Sequence, residues 1–108
     1  MNIWRVPYPK FGDGPGLARV AALAARLGFD LARFGETGAG VVGSNGKGST
    51  AAMCAALLRR KSAPVGLFTS PHLMTLNERF NIDGQDIDDE ARARHWARAR
   101  EAVRAEGL

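Results

Sequence analysis

The sequence predicts an α/β fold built on parallel strands, and three observations predict it. A short apolar run, Val41-Val42, leads into the glycine-rich stretch Gly43-Ser44-Asn45-Gly46-Lys47-Gly48-Ser49-Thr50. An apolar-periodic segment follows over 51–58, where Met53, Leu57 and Leu58 are separated by small alanines. A second apolar run, Pro64-Val65-Gly66-Leu67-Phe68-Thr69, closes a strand–helix–strand unit. The crossover in such a unit is right-handed, which makes its two strands parallel.

At 108 residues the chain is long enough for one domain at most. It is 45% hydrophobic and 24% charged, an ordinary balance for a soluble globular protein. The net charge of +4 comes mostly from arginines that are dispersed and interleaved with Asp and Glu. That pattern reads as solvated helix faces and excludes a nucleic-acid patch, while still favouring anionic ligands such as nucleotides. The single cysteine, Cys54, cannot form an internal disulfide and lies among small apolar residues, which predicts a packed thiol. No stretch resembles a signal peptide or a membrane span, so the expected compartment is the reducing cytosol, with no membrane partner.

Taken in order, the first eleven residues are aromatic and broken by Pro7 and Pro9. Trp4, Tyr8 and Phe11 are expected to pack on the domain. Asp13 or Gly14 caps a helix over 15–27 with Pro15 in its first turn, and Gly28 stops it. Residues 29–40 read as a connector. A strand at Val41-Val42 precedes the glycine-rich turn, and a helix runs over 47–60, its last turn loaded with Arg59, Arg60 and Lys61. The strand over 64–69 follows, then a loop over 73–78. Asp83-Gly84 marks a hairpin between Arg79-Phe80-Asn81-Ile82 and a short segment near Ile87. Asp88 or Asp89 caps a final helix to about Ala105, with Trp96, Ala99 and Val103 on one side.

The glycine-rich stretch carries the chemistry. Glycines let the backbone curl so that successive N–H groups point inward, and a helix N-terminus adds partial positive charge. Lys47 adds a full charge on a flexible stem, suited to the phosphates of a nucleotide. The strict phosphate-loop pattern would place glycine at position 41 and a hydroxyl at 48; this chain has Val41 and Gly48, with hydroxyls displaced to Ser49 and Thr50. Asn45, Gly46, Lys47, Gly48, Ser49 and Thr50 are the expected nucleotide-binding residues. Ligands of parallel sheets bind beyond the carboxyl ends of the strands, so Ser70-Pro71-His72-Leu73 is expected to face the same crevice. His72 reads as a loop residue bonded to nearby backbone, and Asn77, Glu78 and Arg79 as braces of that loop.

The three blocks 43–50, Gly66-Leu67-Phe68-Thr69-Ser70-Pro71-His72-Leu73, and Asn77-Glu78-Arg79-Phe80-Asn81-Ile82-Asp83-Gly84 together resemble folylpolyglutamate synthase/dihydrofolate synthase, ligases of the Mur ligase superfamily. Ser44 keeps a hydroxyl where that family usually has threonine. The resemblance implies that residues 1–108 are an amino-terminal portion of a Mur-ligase-type ATPase domain. The rest of that domain and a carboxyl-terminal glutamate-binding domain would lie beyond it. It implies an ATP-dependent ligation of L-glutamate to a folate or dihydropteroate through an acyl phosphate, with ATP and Mg2+ required. Lys47 would be catalytic and Ser70 a magnesium ligand, with Ser49 and Thr50 in reserve. Pro71, His72 and Leu73 would form a folate loop. A full-length protein of this kind is expected to be monomeric, and the 108-residue chain alone inactive. Two other readings fit the same residues: another Mur-type amide ligase, or a small non-catalytic nucleotide-binding module.

Overall fold

The computed structural model describes residues 16–61 and 64–107. The expected packing of Trp4, Tyr8 and Phe11, and the caps at Asp13 or Gly14, lie outside the described residues. The elements in order are α1 (Leu17–Leu27), α2 (Leu31–Thr37), α3 (Lys47–Leu58), β1 (Gly66–Phe68), a 3₁₀ turn (Leu76–Arg79), β2 (Phe80–Ile82), β3 (Gln85–Asp86) and α4 (Asp89–Ala105).

The mixed α/β class holds, but the sheet differs from the expected one. It has three strands in the order β1-β2-β3, and both neighbouring pairs are antiparallel. Val41-Val42 forms no strand ladder, and Val42 is 91% exposed. Among the described residues there is therefore no parallel pair and no parallel strand–helix–strand unit. The physical reason is local: β-branched residues favour an extended backbone, yet a strand exists only where a second strand takes up its N–H and C=O groups. The hairpin strand takes one edge of β1, with Gly66 opposite Ile82 and Phe68 opposite Phe80.

The hairpin itself forms where its turn residues place it. Asp83 and Gly84 both have positive φ, 51° and 89°, as a two-residue loop of the primed type requires. Side chains reinforce the turn. Gly84 N–H donates to Asn81 Oδ1 at 2.9 Å, Asn81 Nδ2 donates to Asp86 Oδ1 at 3.0 Å, and Val65 N–H donates to Asp83 Oδ1 at 2.8 Å. A Cβ at Gly84 would collide with the Arg59 guanidinium, so the end of α3 lies over this turn. α3 also touches β1.

α1 starts at Leu17 behind Gly16 and ends at Gly28, whose φ of 79° and N–H bond to the Ala25 carbonyl make the left-handed stop. The connector over 29–40 contains a helix after all. Asp30 caps α2 by accepting from Arg33 N–H at 3.1 Å. α3 stops at Leu58, before the basic residues expected in its last turn. α4 begins where expected: Asp88 is the N-cap, accepting from Ala91 N–H at 2.7 Å, with Asp89 and Glu90 in the first turn favouring the positive end of the helix.

The buried core is small. Among the described residues only Ala24 of α1 and Ala102 of α4 are buried, where the two helices pack. Small residues there allow close approach, and Arg26 Nε donates to Glu106 Oε1 at 2.6 Å across the junction. Met53, Leu57 and Leu58 are exposed, and so is Cys54, which corrects the expectation of a packed thiol. α3 is apolar nearly all round rather than amphipathic, so its contact with three-residue β1 leaves most of its surface in solvent. Among the described residues, no helix is long and apolar enough to cross a membrane.

Candidate functional site

Two segments carry the candidate residues. The first is the start of α3. Gly43 and Gly46 have φ of 150° and 74°, conformations that a side chain would strain. Gly46 is the N-cap and offers no side chain to the helix; the first intrahelical bond runs from Thr50 N–H to the Gly46 carbonyl at 3.0 Å. The N–H groups of Lys47, Gly48 and Ser49 therefore sit at the positive end of the helix dipole, and no acidic residue occupies that first turn. A Cβ at Gly46 or Gly48 would meet nothing within 4 Å, so the space over the loop is open. Lys47 curls back, its Nζ donating to the Gly43 carbonyl at 2.6 Å. An ammonium has three N–H donors, so this bond holds the charge over the turn and leaves two for an anion. Ser44, Asn45, Ser49 and Thr50 are exposed around it. An anion such as a polyphosphate fits this arrangement.

The second segment follows β1. Ser70 and Pro71 are exposed and joined by a cis peptide bond, His72 is half-buried, and Leu73 and Met74 stand 94% and 87% exposed. His72 Nδ1 accepts from Arg79 Nε at 2.9 Å, a side-chain partner seven residues on. Glu78 reaches back under the loop: Oε2 accepts from Leu73 N–H and both oxygens accept from Met74 N–H, each at 3.1 Å. These bonds hold its carboxyl below the ordinary value of 4.5, the Met74 N–H being the largest cause. Desolvation opposes them, and Leu73 and Thr75 N–H and nearby His72 add to them. Asn77 Nδ2 donates to Asp89 Oδ1 at 2.8 Å, tying the 3₁₀ turn to the start of α4, and leaves its own buried Oδ1 without a hydrogen bond. Arg79 also gives its carbonyl to Thr69 N–H at 3.2 Å.

Asn77, Glu78 and Arg79 thus brace the loop, as the charged triplet predicted. Their partners were not legible: Asp89 lies twelve residues from Asn77, and only the fold brings them together. The α2 cap was also missed, although Asp30 directly before Leu31 was a readable signal.

Magnesium fits less well. Among the described residues, no group of three His, Cys, Asp or Glu side chains could hold a metal ion. Ser70 offers one hydroxyl, and the nearest carboxylate in sequence, Glu78, is engaged by backbone N–H groups. The described residues do not by themselves make a magnesium site, which would want carboxylate oxygens as well.

Fold and site together define a mixed α/β protein in which a glycine-shaped, lysine-bearing turn opens a helix and a braced loop follows the first strand. Comparison with known proteins makes that class specific. The chain is 44% identical over 81 residues to a dihydrofolate synthase/folylpolyglutamate synthase of Bacillus subtilis, an alignment covering 75% of this chain and 18% of the relative. It is 39% identical over 83 residues to the Escherichia coli protein of the same name, covering 76% and 19%. A probable bifunctional folylpolyglutamate synthase/dihydropteroate synthase of Haloferax volcanii is 41% identical over 91 residues, covering 84% and 11%. The chain belongs to the folylpolyglutamate synthase/dihydrofolate synthase family and spans less than a fifth of the length of these relatives. No family model matches it, and no solved structure does.

Proposed function

We infer that the chain carries the phosphate-gripping part of an ATP-dependent ligase that joins L-glutamate to a folate or dihydropteroate. The observation that carries this reading is the start of α3, where Lys47 Nζ lies over the Gly43–Gly46 turn and the helix opens without an acidic residue. Family membership supplies the chemistry that such a turn would serve.

A carboxylate is a poor electrophile, because its departing oxygen is a poor leaving group. Transfer of the terminal phosphoryl of ATP to a carboxylate oxygen gives an acyl phosphate and ADP. The glutamate amine then attacks the acyl carbon, the C–N bond forms, and inorganic phosphate leaves with the C–O electron pair. Negative charge gathers on the transferring phosphoryl, so the protein's part is positioning and neutralisation. The N–H groups of residues 45–50 suit the phosphate oxygens. Lys47 would release its bond to Gly43 or share it, bringing its charge onto the outer phosphates. Ser70, at the end of β1, is the hydroxyl we assign to the same phosphate shell. Pro71, His72 and Leu73 are assigned to the carboxylate substrate. A magnesium ion would need further ligands from the remainder of a longer enzyme, and no step here is drawn through it. In this reading residues 1–108 are one part of an ATPase domain, cytoplasmic in location, and do not ligate by themselves.

The test is calorimetric titration of ATP into the wild-type chain and into Lys47→Ala. The wild type binds, and the variant binds at least about tenfold more weakly, the scale of one lost charge-assisted contact. Equal affinities would remove the basis for the nucleotide assignment.

A further inference from the structure

Among the described residues, an asparagine or aspartate is followed by glycine at Asn45-Gly46 and at Asp83-Gly84, and the fold treats the two pairs oppositely. Such a pair is prone to close on itself. The glycine nitrogen attacks the side-chain carbonyl carbon of the residue before it, because glycine has no side chain to stand in the way. At Asp83-Gly84 both reacting groups are engaged. Gly84 N–H donates to Asn81 Oδ1 at 2.9 Å, Asp83 Oδ1 accepts from Val65 N–H at 2.8 Å, and the Arg59 guanidinium lies against Gly84. At Asn45-Gly46 neither group is engaged. Both residues are exposed, and among the described residues no hydrogen bond is donated by Gly46 N–H and none involves the Asn45 side chain. A Cβ at Gly46 would meet nothing within 4 Å, so nothing packs over the glycine. Asn77 and Asn81 differ again: each has its Nδ2 bonded to a carboxylate, and each precedes a bulkier residue.

We propose that Asn45-Gly46 is a site of spontaneous self-modification, deamidation through a cyclic imide, which closes the turn before α3 to anions. The Gly46 N–H gives its proton to hydroxide from solvent, and the nitrogen forms a bond to Asn45 Cγ. The bond from Cγ to Nδ2 then breaks, and ammonia leaves with that electron pair and a proton taken from water. Water adds to one of the imide carbonyls, and the bond from that carbon to the Gly46 nitrogen opens. Opening at the side-chain carbonyl leaves an aspartyl residue, and opening at the main-chain carbonyl leaves an isoaspartyl residue. The turn favours the first step. Gly46 is the N-cap of α3, the first turn holds no acidic residue, and Lys47 Nζ lies over the loop. Positive potential therefore falls where the nitrogen, and next the tetrahedral oxyanion, carries negative charge. The product has a carboxylate at position 45, beside the N–H groups of Lys47, Gly48 and Ser49, and it repels the anion those groups would take. The consequence for ATP rests on the ligase reading; the conversion itself does not. Bound phosphate oxygens would also occupy the Gly46 N–H and stop its attack, so the nucleotide-free chain is the one that converts.

The experiment ages the 108-residue chain in mildly alkaline buffer, folded and in urea, with and without ATP. Peptide mass mapping follows the exchange of the Asn45 amide group for a hydroxyl, and isoaspartate-specific enzymatic methylation reports positions 45 and 83. The urea sample supplies the intrinsic rate of each pair, so the ratio of unfolded to folded rate isolates what the fold does. That ratio is expected within about threefold of unity at Asn45 and at least about tenfold at Asp83, where hydrogen bonds must open first. ATP slows conversion at Asn45 and leaves Asp83 unchanged. The aged chain, separated from the fresh one by charge, binds ATP at least about tenfold more weakly, the scale of one like charge beside the phosphates. Asn45→Asp reproduces that loss with the helical circular dichroism kept. An Asn45 protected as strongly as Asp83 overturns the proposal, and so does an Asn45 that stays intact in the folded chain. Equal, measurable ATP affinity in the fresh and aged chains also overturns it, since conversion would then not close the turn. A chain that binds ATP and keeps Asn45 intact removes the proposal and leaves the nucleotide assignment standing. One that converts at the unprotected rate and binds no ATP supports the modification site and removes that assignment.

Discussion

The two candidate segments are built on opposite plans. Around residues 70–89 the backbone is held by side chains: Glu78 takes two N–H groups, Arg79 takes His72, Asn77 takes Asp89 and Asn81 takes both Gly84 and Asp86. Around residues 43–50 the backbone is shaped by glycine conformations instead, and the side-chain bond there is Lys47 to Gly43. The first plan spends polar groups internally and produces a fixed surface. The second leaves N–H groups at a helix end for something else to take. A segment that keeps its donors uncommitted is suited to an anionic ligand, and a segment that commits them is suited to holding shape.

Substitutions separate the two plans, the largest effect first. Gly84→Ala puts a side chain at φ 89° and drives Arg59 off the turn. It is expected to cost about 1–2 kcal/mol from the left-handed backbone alone, read as a lowered urea midpoint. An unchanged midpoint would mean the turn is not a determinant of stability. Asp88→Ala removes the cap of α4, the helix to which Asn77 is tied, and is expected to cost about 1 kcal/mol. Circular dichroism during urea unfolding measures it, and a loss under a few tenths would show that Asp89 and Glu90 alone hold the helix start.

Acidification comes next. Because the folded pKa of Glu78 is depressed, its hold on the Leu73 and Met74 N–H groups contributes fully above the ordinary carboxylate value and is lost as pH falls through the depressed one. Exchange at Leu73 and Met74, corrected for its intrinsic pH dependence, should rise below about pH 4.5, and a flat profile across that range would contradict the geometry. The smallest effect is expected at the other segment: Lys47→Ala should change stability by less than about 0.5 kcal/mol, whatever it does to ATP binding. A larger loss would mean that the Lys47–Gly43 bond is structural after all.

What could be read in advance divides along the same line. The Asp83-Gly84 turn and the Asp88 cap were legible because their causes are local: a positive φ at adjacent residues, and a carboxylate three residues from an open N–H. The Gly43–Thr50 turn was legible for the same reason, since glycines and a lysine in that order define a conformation and a charge. The sheet was not. Val41-Val42 has the right residues for a strand, but pairing is decided by which segment reaches β1, and there the hairpin does. Cys54 failed for a related reason: small apolar neighbours predict burial only if an opposing surface exists, and the strand that α3 meets, β1, is three residues long. The braces of the loop after β1 were anticipated as a triplet, but the pairing of Asn77 with Asp89 and of Arg79 with His72 needed the fold.

The contact between α1 and α4 has a consequence for synthesis. Ala24 finds its neighbours in a helix whose buried residue is Ala102, and Arg26 finds its counter-ion eighty positions later, at Glu106. On the ribosome α1 emerges well before its packing partner. Until α4 clears the exit tunnel Ala24 has no docked helix to pack against, and closing so long a loop is slow relative to forming the hairpin. The nascent chain thus completes its local turns first and fastens α1 to α4 only after α4 has been made.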